Sequence, residues 1–351
     1  MKKLLIVTQA VDENDSALGF FTRWIAGLAP GFANVEVICL REGKHALPAN
    51  VRVHPLTSSK ESNTTIYRSM FVRTARAVRF LGFAWRLRRE YDAVFVHMNQ
   101  EYVLIAGWLW RLLGKRIFLW RNHGSGSFLT HLAAYLSRKV FYTSSASYTA
   151  RFPNALRMPV GVDLARFAVV SDVSRIPGSV LMVGRIAPKK HVRAVVEALV
   201  TLSKEGRYAS LTLAGGASAK DQGYQDDIVS LASAAGIGLS LRGAVAHSEL
   251  PRIFAAHDVV INVSEPGMFD KTMLEALASG CLLLTRHEDL TRELDGRLRT
   301  SGEPADIAQK LAHLTTIDAA ERECLVAEGE RIAEAHSLTS LVARLTKELY
   351  A

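Results

Sequence analysis

Residues 258–285, DVVINVSEPGMFDKTMLEALASGCLLLT, decide the fold. The apolar run from Val259 to Val263 has the length and β-branched content of a buried strand. It ends in a loop of Ser264, Glu265, Pro266 and Gly267, after which Leu274, Leu277 and Ala278 recur on one side of a helix. Strand, loop and helix in that order make the repeating unit of a parallel sheet. Glu265, Asp270, Lys271, Thr272 and Glu275 fall at the carboxyl end of the strand and in the first turns of the helix, where open parallel sheets bind ligands. Unpaired N–H groups at a helix start attract anions, so a phosphate fits there and Glu275, inside the helix, can reach a ribose. A capped joint with a solvated charged turn is the alternative reading of the same residues.

The chain around this stretch is 351 residues long, which suits two domains of ordinary size. With 49% hydrophobic residues it can bury sizeable cores. Its three cysteines, Cys39, Cys281 and Cys324, are odd in number and far apart, so they predict a reducing compartment rather than a disulfide framework. The opening run Leu4–Val7 is too short for a signal peptide and reads as a first strand. No stretch approaches the roughly 18 to 20 apolar residues of a spanning helix. A cytoplasmic location is expected, with room for a peripheral place on a membrane.

Charge is unevenly shared. Residues 1–165 hold 22 Lys+Arg against 10 Asp+Glu, and residues 166–351 hold 21 against 24, so a net +9 divides into +12 and −3. The basic half predicts an anionic partner surface. A helix expected over Thr64–Arg89 carries Arg68, Arg73, Arg76, Arg79, Arg86, Arg88 and Arg89 among aromatic and aliphatic residues, which fits docking on anionic lipid head groups. The plainer reading is a surface helix whose arginine stems cover apolar neighbours. No nucleic-acid motif accompanies the charge, so nucleic acid is not expected.

Strand-like and helix-like segments alternate throughout, giving an α/β class with two Rossmann-like parts and a linker near residues 159–178. In the first part, His123 follows the strand Arg116–Trp120 between Asn122 and Gly124, where glycines permit close ligand approach across a cleft; His97 ends the neighbouring strand. In the second part, Gly184-Arg185-Ile186-Ala187-Pro188-Lys189-Lys190 follows the strand Ser179–Val183 and opens a helix. Arg185 and Lys190, at a helix entrance, can converge on a diphosphate. There is no GxGxxG, phosphate-binding GxxxxGK[ST], HExxH or CxxC pattern and no clustered carboxylate pair, so no metal or resident cofactor is expected.

The series Gly184-Arg185 to Lys190, Leu213-Ala214-Gly215, Arg242-Gly243-Ala244-Val245 and Ser264 to Glu275-Ala276-Leu277-Ala278-Ser279-Gly280 resembles the donor half of retaining family 4 glycosyltransferases. Met158-Pro159-Val160-Gly161-Val162-Asp163 looks like that family's interdomain signature, and His123-Gly124 is similar, more loosely, to its acceptor half. The resemblance implies the GT-B fold: two Rossmann-like domains with parallel sheets facing an interdomain cleft. These would be residues 1–160 for the acceptor, 161–337 for the nucleotide sugar, and a helix of about 338–351 packing back on the first. It implies a donor diphosphate held by Arg185 and Lys190 at Gly184, a ribose on Glu275, and a base near Val245. The sugar would contact the loop of Gly267, Met268, Phe269 and Asp270, beside Thr272 at the helix start, with His123 as the histidine beside the sugar.

Two departures stand out. The acid this family carries eight residues before Glu275 is replaced by Gly267, with Glu265 and Asp270 the nearest substitutes, and the loop 12–19 has one glycine rather than two. The implied reaction is metal-independent, retaining transfer of a hexosyl group from a UDP- or GDP-sugar to a hydroxyl. The expected acceptor is a lipid-linked or cell-envelope glycan, in polysaccharide biosynthesis. A GT-B sugar-nucleotide epimerase and a catalytically silent nucleotide-sugar-binding protein are the alternatives.

Overall fold

The central apolar runs become strands buried on both faces, as parallel sheets require, while some at the sheet edges stay partly exposed. The computed structural model describes residues 1–15, 18–57, 70–167, 170, 172–207, 210–265, 267 and 269–351. The chain divides into two units, Met1–Pro159 with Thr339–Ala351, and Val160–Leu338.

Among the described residues the first unit holds seven strands, β1 (Lys3–Val11), β2 (Asn34–Glu42), β3 (Val51–Pro55), β4 (Ala93–His97), β5 (Arg116–Trp120), β6 (Lys139–Tyr142) and β7 (Ala155–Arg157). They lie in the order β3-β2-β1-β4-β5-β6-β7, and every neighbouring pair is parallel. Helices α1 (Gly19–Leu28), α2 (Met70–Arg86), α3 (Gln100–Leu112) and α4 (Phe128–Leu136) connect them. β7 escapes the sequence pattern because three residues are too few to show a period. The expected helix over Thr64–Arg89 begins, among the described residues, at Met70 and runs to Arg86; Arg68 lies outside the described residues. Phe80 and Ala84 bury its inner face, with Leu87 buried just past its end, while Arg79 and Arg86 lie over the Phe83 ring.

The second unit is built the same way. Its strands are β8 (Ile176–Val183), β9 (Ser210–Ala214), β10 (Gly238–Leu241), β11 (His257–Asn262) and β12 (Leu282–Thr285), ordered β10-β9-β8-β11-β12 and parallel throughout. Helices α5 (Val192–Lys204), α6 (Gln222–Ala234), α7 (Leu250–Ala256), α8 (Lys271–Ala278), α9 (Glu288–Thr291), α10 (Pro304–Leu314) and α11 (Ala319–Ala335) pack around them. The segment read as a linker starts inside this core: Val160, Val162 and Phe167 are buried in it, and the His336 carbonyl accepts the N–H groups of Gly161 and Val162.

Helix α12 (Leu338–Tyr350) returns to the first unit, burying Leu341, Leu345 and Leu349. The Tyr350 hydroxyl donates to the Gly31 carbonyl at 2.5 Å and its ring lies 5.2 Å from Phe32. Arg116 donates to the Tyr350 carbonyl at 2.8 Å, and Lys139 pairs with Glu348. Among the described residues no helix is long and apolar enough to cross a membrane.

Candidate functional site

The order of the second sheet reverses between β8 and β11, and crevices at such reversals, beyond the strands' carboxyl ends, are where doubly wound sheets bind ligands. The loop after β8 passes tightly over the loop after β9: a Cβ on Gly215, whose φ is +151°, would fall 1.9 Å from the Gly184 carbonyl oxygen. Only glycine tolerates both that conformation and that approach. Beyond Gly184, Arg185 is exposed and Pro188–Lys190 form a single tight turn ending at His191 in the left-handed region, φ 52°. Lys190 reaches across to Asp270, Nζ to Oδ2, at 3.0 Å.

Asp270 organises the other side. Its Oδ1 accepts the Thr272 N–H at 3.2 Å and the Thr272 hydroxyl at 2.7 Å, while Oδ2 takes Lys190 and, at 3.2 Å, the Asn262 side-chain amide. The start of α8 is therefore capped by a carboxylate, so the helix start that the sequence presented as a row of unpaired N–H groups already holds one anion. Burial alone would raise the Asp270 carboxyl, but Lys190 and Thr272 together hold it below the ordinary carboxylate value. At the next residue, desolvation pulls the Lys271 ammonium down to about 8 against the opposing charge of Glu275.

Glu275 is 3% exposed. His247, in the loop between β10 and α7, covers it with Nε2 2.9 Å from Oε1, and Oε2 has no hydrogen-bond partner among the described residues. The Arg166 guanidinium lies 3.4 Å from His247 Nδ1. Arginine only donates, so Nδ1 accepts and a neutral ring carries its proton on Nε2, which donates to Glu275. The Phe167 ring meets the imidazole edge-on at 5.6 Å.

Between these elements lies a cavity of about 490 Å³, lined by Arg185, Lys189, Lys190, Asn262, Ser264, Glu265, Gly267, Phe269, Asp270, Lys271 and His287. Gly184, Arg185 and Lys190 also line a small cleft beside it. Of the residues singled out by sequence, the fold thus gathers Arg185, Lys190, Gly267, Phe269 and Asp270 on one cavity, with Gly184 beside it and Thr272 bonded to Asp270. Glu275 lies behind them under His247, and Val245 is half-buried against the core, lining neither cavity. Met268 lies outside the described residues.

His123 belongs to the first unit, where it is exposed. Its Nδ1 lies 3.1 Å from the Ser125 N–H and hydroxyl and 3.2 Å from the Ser125 carbonyl. His97 is a buried structural histidine, stacked on Phe21 at 3.8 Å with Thr8 3.5 Å from Nδ1. The sequence reading missed Asn262, His247 and His287. Each is a single polar residue at a strand end or in a loop, and the only signal was that position.

Comparison with known proteins follows the same division. The family model described as Glycosyl transferases group 1 matches residues 177–316, within the second unit. No curated protein matches the chain. Among solved structures, Anabaena HepE in complex with UDP and glucose is 17% identical, covers 100% of both chains and superposes with a TM-score of 0.69. A glycosyltransferase from Rickettsia africae is 14% identical over 100% of this chain and 99% of its own, TM-score 0.73. Sucrose-phosphate synthase from Thermosynechococcus elongatus is 15% identical over 99% and 98%, TM-score 0.70. At such identities the likeness is one of fold. By fold the chain is α/β with two parallel sheets, matching GT-B glycosyltransferase structures, and its second unit is similar to the group 1 glycosyl transferases.

Proposed function

We propose that the chain is a retaining, metal-independent glycosyltransferase of the family 4 type, moving a sugar from a nucleoside diphosphate sugar to a hydroxyl of a lipid-linked or cell-envelope glycan. The observation that carries this reading is the convergence of Arg185 and Lys190 with the start of α8 on one cavity, inside the segment similar to group 1 glycosyl transferases. UDP is favoured as the nucleotide because the HepE structures hold UDP, UDP with glucose, and UDP-glucose.

In this reading the donor is the only small molecule needed. Departure of the diphosphate is the difficult step, and Arg185 and Lys190 stabilise its charge, which is the work a metal would otherwise do. The diphosphate takes Lys190 from Asp270. Thr272 and the α8 amides complete the phosphate subsite, with Gly184, at φ +131°, turning the chain toward Lys190. Glu275 takes the ribose once His247 swings off Oε1, the base lies toward Val245, and Gly267, Met268 and Phe269 border the sugar. His123 keeps the catalytic role implied by the resemblance, in an acceptor-side unit 1–160 joined by 338–351; residues 161–337 take the donor. Arg185→Ala and Lys190→Ala are each expected to lower donor turnover on the order of 10²–10³-fold with the fold intact. Near-native turnover of UDP- and GDP-sugars by both variants sinks the assignment. The Asp270–Lys190 pair favours a second reading, a silent nucleotide-sugar-binding protein; tight UDP binding with neither transfer nor donor hydrolysis would establish it.

A peripheral place on an anionic membrane belongs to the same proposal. Arg73, Arg79 and Arg86 of α2 are exposed. Phe128, Leu129, Leu132 and Tyr135 form an exposed apolar face on α4, and Trp108 and Leu112 are exposed on α3. Cationic and apolar groups together suit a lipid surface. Sedimentation with anionic vesicles should show salt-sensitive binding weakened by R73E/R76E; its absence removes this part.

A further inference from the structure

His287 stands between β12 and α9 and caps α9, its Nδ1 accepting the Asp289 N–H at 3.3 Å. An accepting Nδ1 leaves the proton of a neutral ring on Nε2. The side chain is 9% exposed, it lines the 490 Å³ cavity, and Nε2 is buried without a hydrogen-bond partner among the described residues. The Phe269 ring packs beside it, 5.1 Å between centroids. A buried donor with no acceptor destabilises the unliganded chain through its lost hydration, and an oxygen delivered into the cavity restores the missing bond. The charged part of the same wall comes from β8 and α8, where Lys190 and Asp270 meet. The loop after β12, the next strand beyond β11, adds the His287 ring, whose Nε2–H in the neutral form suits a sugar oxygen better than a phosphate.

We propose that His287 is a donor-sugar contact: its Nε2–H binds an oxygen of the transferred sugar and makes His287 a specificity-determining residue of the donor subsite. This rests on the donor reading above, and its test separates the two. Asn is the informative replacement, because its Oδ1 stands where Nδ1 does and keeps the α9 cap, whereas the Nε2–H is lost. Gln does the opposite, keeping a distal N–H and losing the cap.

The experiment measures binding of UDP, UDP-glucose, UDP-galactose and UDP-glucuronic acid by calorimetry, with GDP and GDP-mannose beside them, to the native chain, His287→Asn and His287→Gln. His287→Asn is expected to hold Tm at or above the native value, since the cap stays and the unmet donor goes, to leave bare-nucleotide affinity unchanged, and to weaken the best sugar nucleotide about tenfold, as loss of one buried hydrogen bond does. His287→Gln should recover most of that affinity while lowering Tm. Equal weakening of nucleotide and sugar nucleotide by His287→Asn, or no weakening of either, overturns the assignment and leaves the donor reading standing. A native chain that binds neither UDP nor GDP overturns the donor reading, and the His287 assignment with it.

Discussion

Where the order of the first sheet reverses, between β1 and β4, the carboxyl ends are filled by rings: Phe21 and Trp24 of α1 pack on His97 at 3.8 and 5.7 Å, and Trp24 meets Trp120 at 4.8 Å. At the corresponding reversal of the second sheet, between β8 and β11, Arg185, Lys190, Asn262 and Asp270 border an open cavity. The backbone plan is shared and the chemistry is opposite. Aromatic stacking closes one crevice and turns it into core; charges that cannot be buried unpaired keep the other open to a ligand. Topology therefore says where a crevice lies, and only the side chains say whether it is a site.

Three experiments would break or sharpen this contrast. The largest effect belongs to the closed crevice: Trp24→Ala should lower stability to urea unfolding by about 3–5 kcal/mol while leaving nucleotide binding by the second unit intact. Loss of nucleotide binding in that variant would show that the two crevices are not independent. Next comes Lys271. Its folded pKa near 8 lies below the value of about 10.4 in an unfolded chain. Between those values the unfolded chain binds more protons, so stability rises as pH rises from 8 toward 10. Removing the ammonium in Lys271→Met should flatten that rise, by on the order of 5 °C in Tm relative to the native chain. Parallel pH profiles for the two proteins would show that Lys271 is solvated. The smallest effect is expected from Asp270→Asn. Asn keeps the cap through its Oδ1 but sets an amide NH2 where Oδ2 accepts Lys190 and Asn262, so stability should fall by about 1–2 kcal/mol, while Lys190, relieved of its counter-charge, binds UDP several-fold more tightly. Weaker UDP binding would mean that Asp270 organises Lys190 rather than competing for it. The native Asp270 carboxyl sits below its ordinary value, so its contribution to stability is present above the unfolded pKa and is lost as pH falls through the folded one.

Much of the fold was legible because it rests on local pattern. The run Val259–Val263 followed by Leu274 and Leu277 is strand, loop and helix in the sequence and β11, loop and α8 in the structure. Gly184-Arg185 to Lys190 was visible as a cationic loop between strand and helix for the same reason. β7 was not, since Ala155–Arg157 is an edge strand with too little pattern to register. The site was legible in its charged members and opaque in its neutral ones. His287 and Asn262 sit just after or at the end of a strand, and nothing local separates them from His97, which the core buries.

Residue order by itself determined the alternation of elements, the basic first half, and the two loops that bring Gly184, Arg185, Lys190 and Asp270 to strand ends, because these depend on neighbours a few positions apart. The tertiary structure alone decided that Lys190 and Asp270 are paired across 80 positions, that His247 covers Glu275, and that His287 brings to the cavity a buried Nε2 with no hydrogen-bond partner among the described residues. Those contacts exist only because β8 lies beside β11 and β11 beside β12, an order set by how the whole sheet buries its strands and not by any stretch of the chain alone.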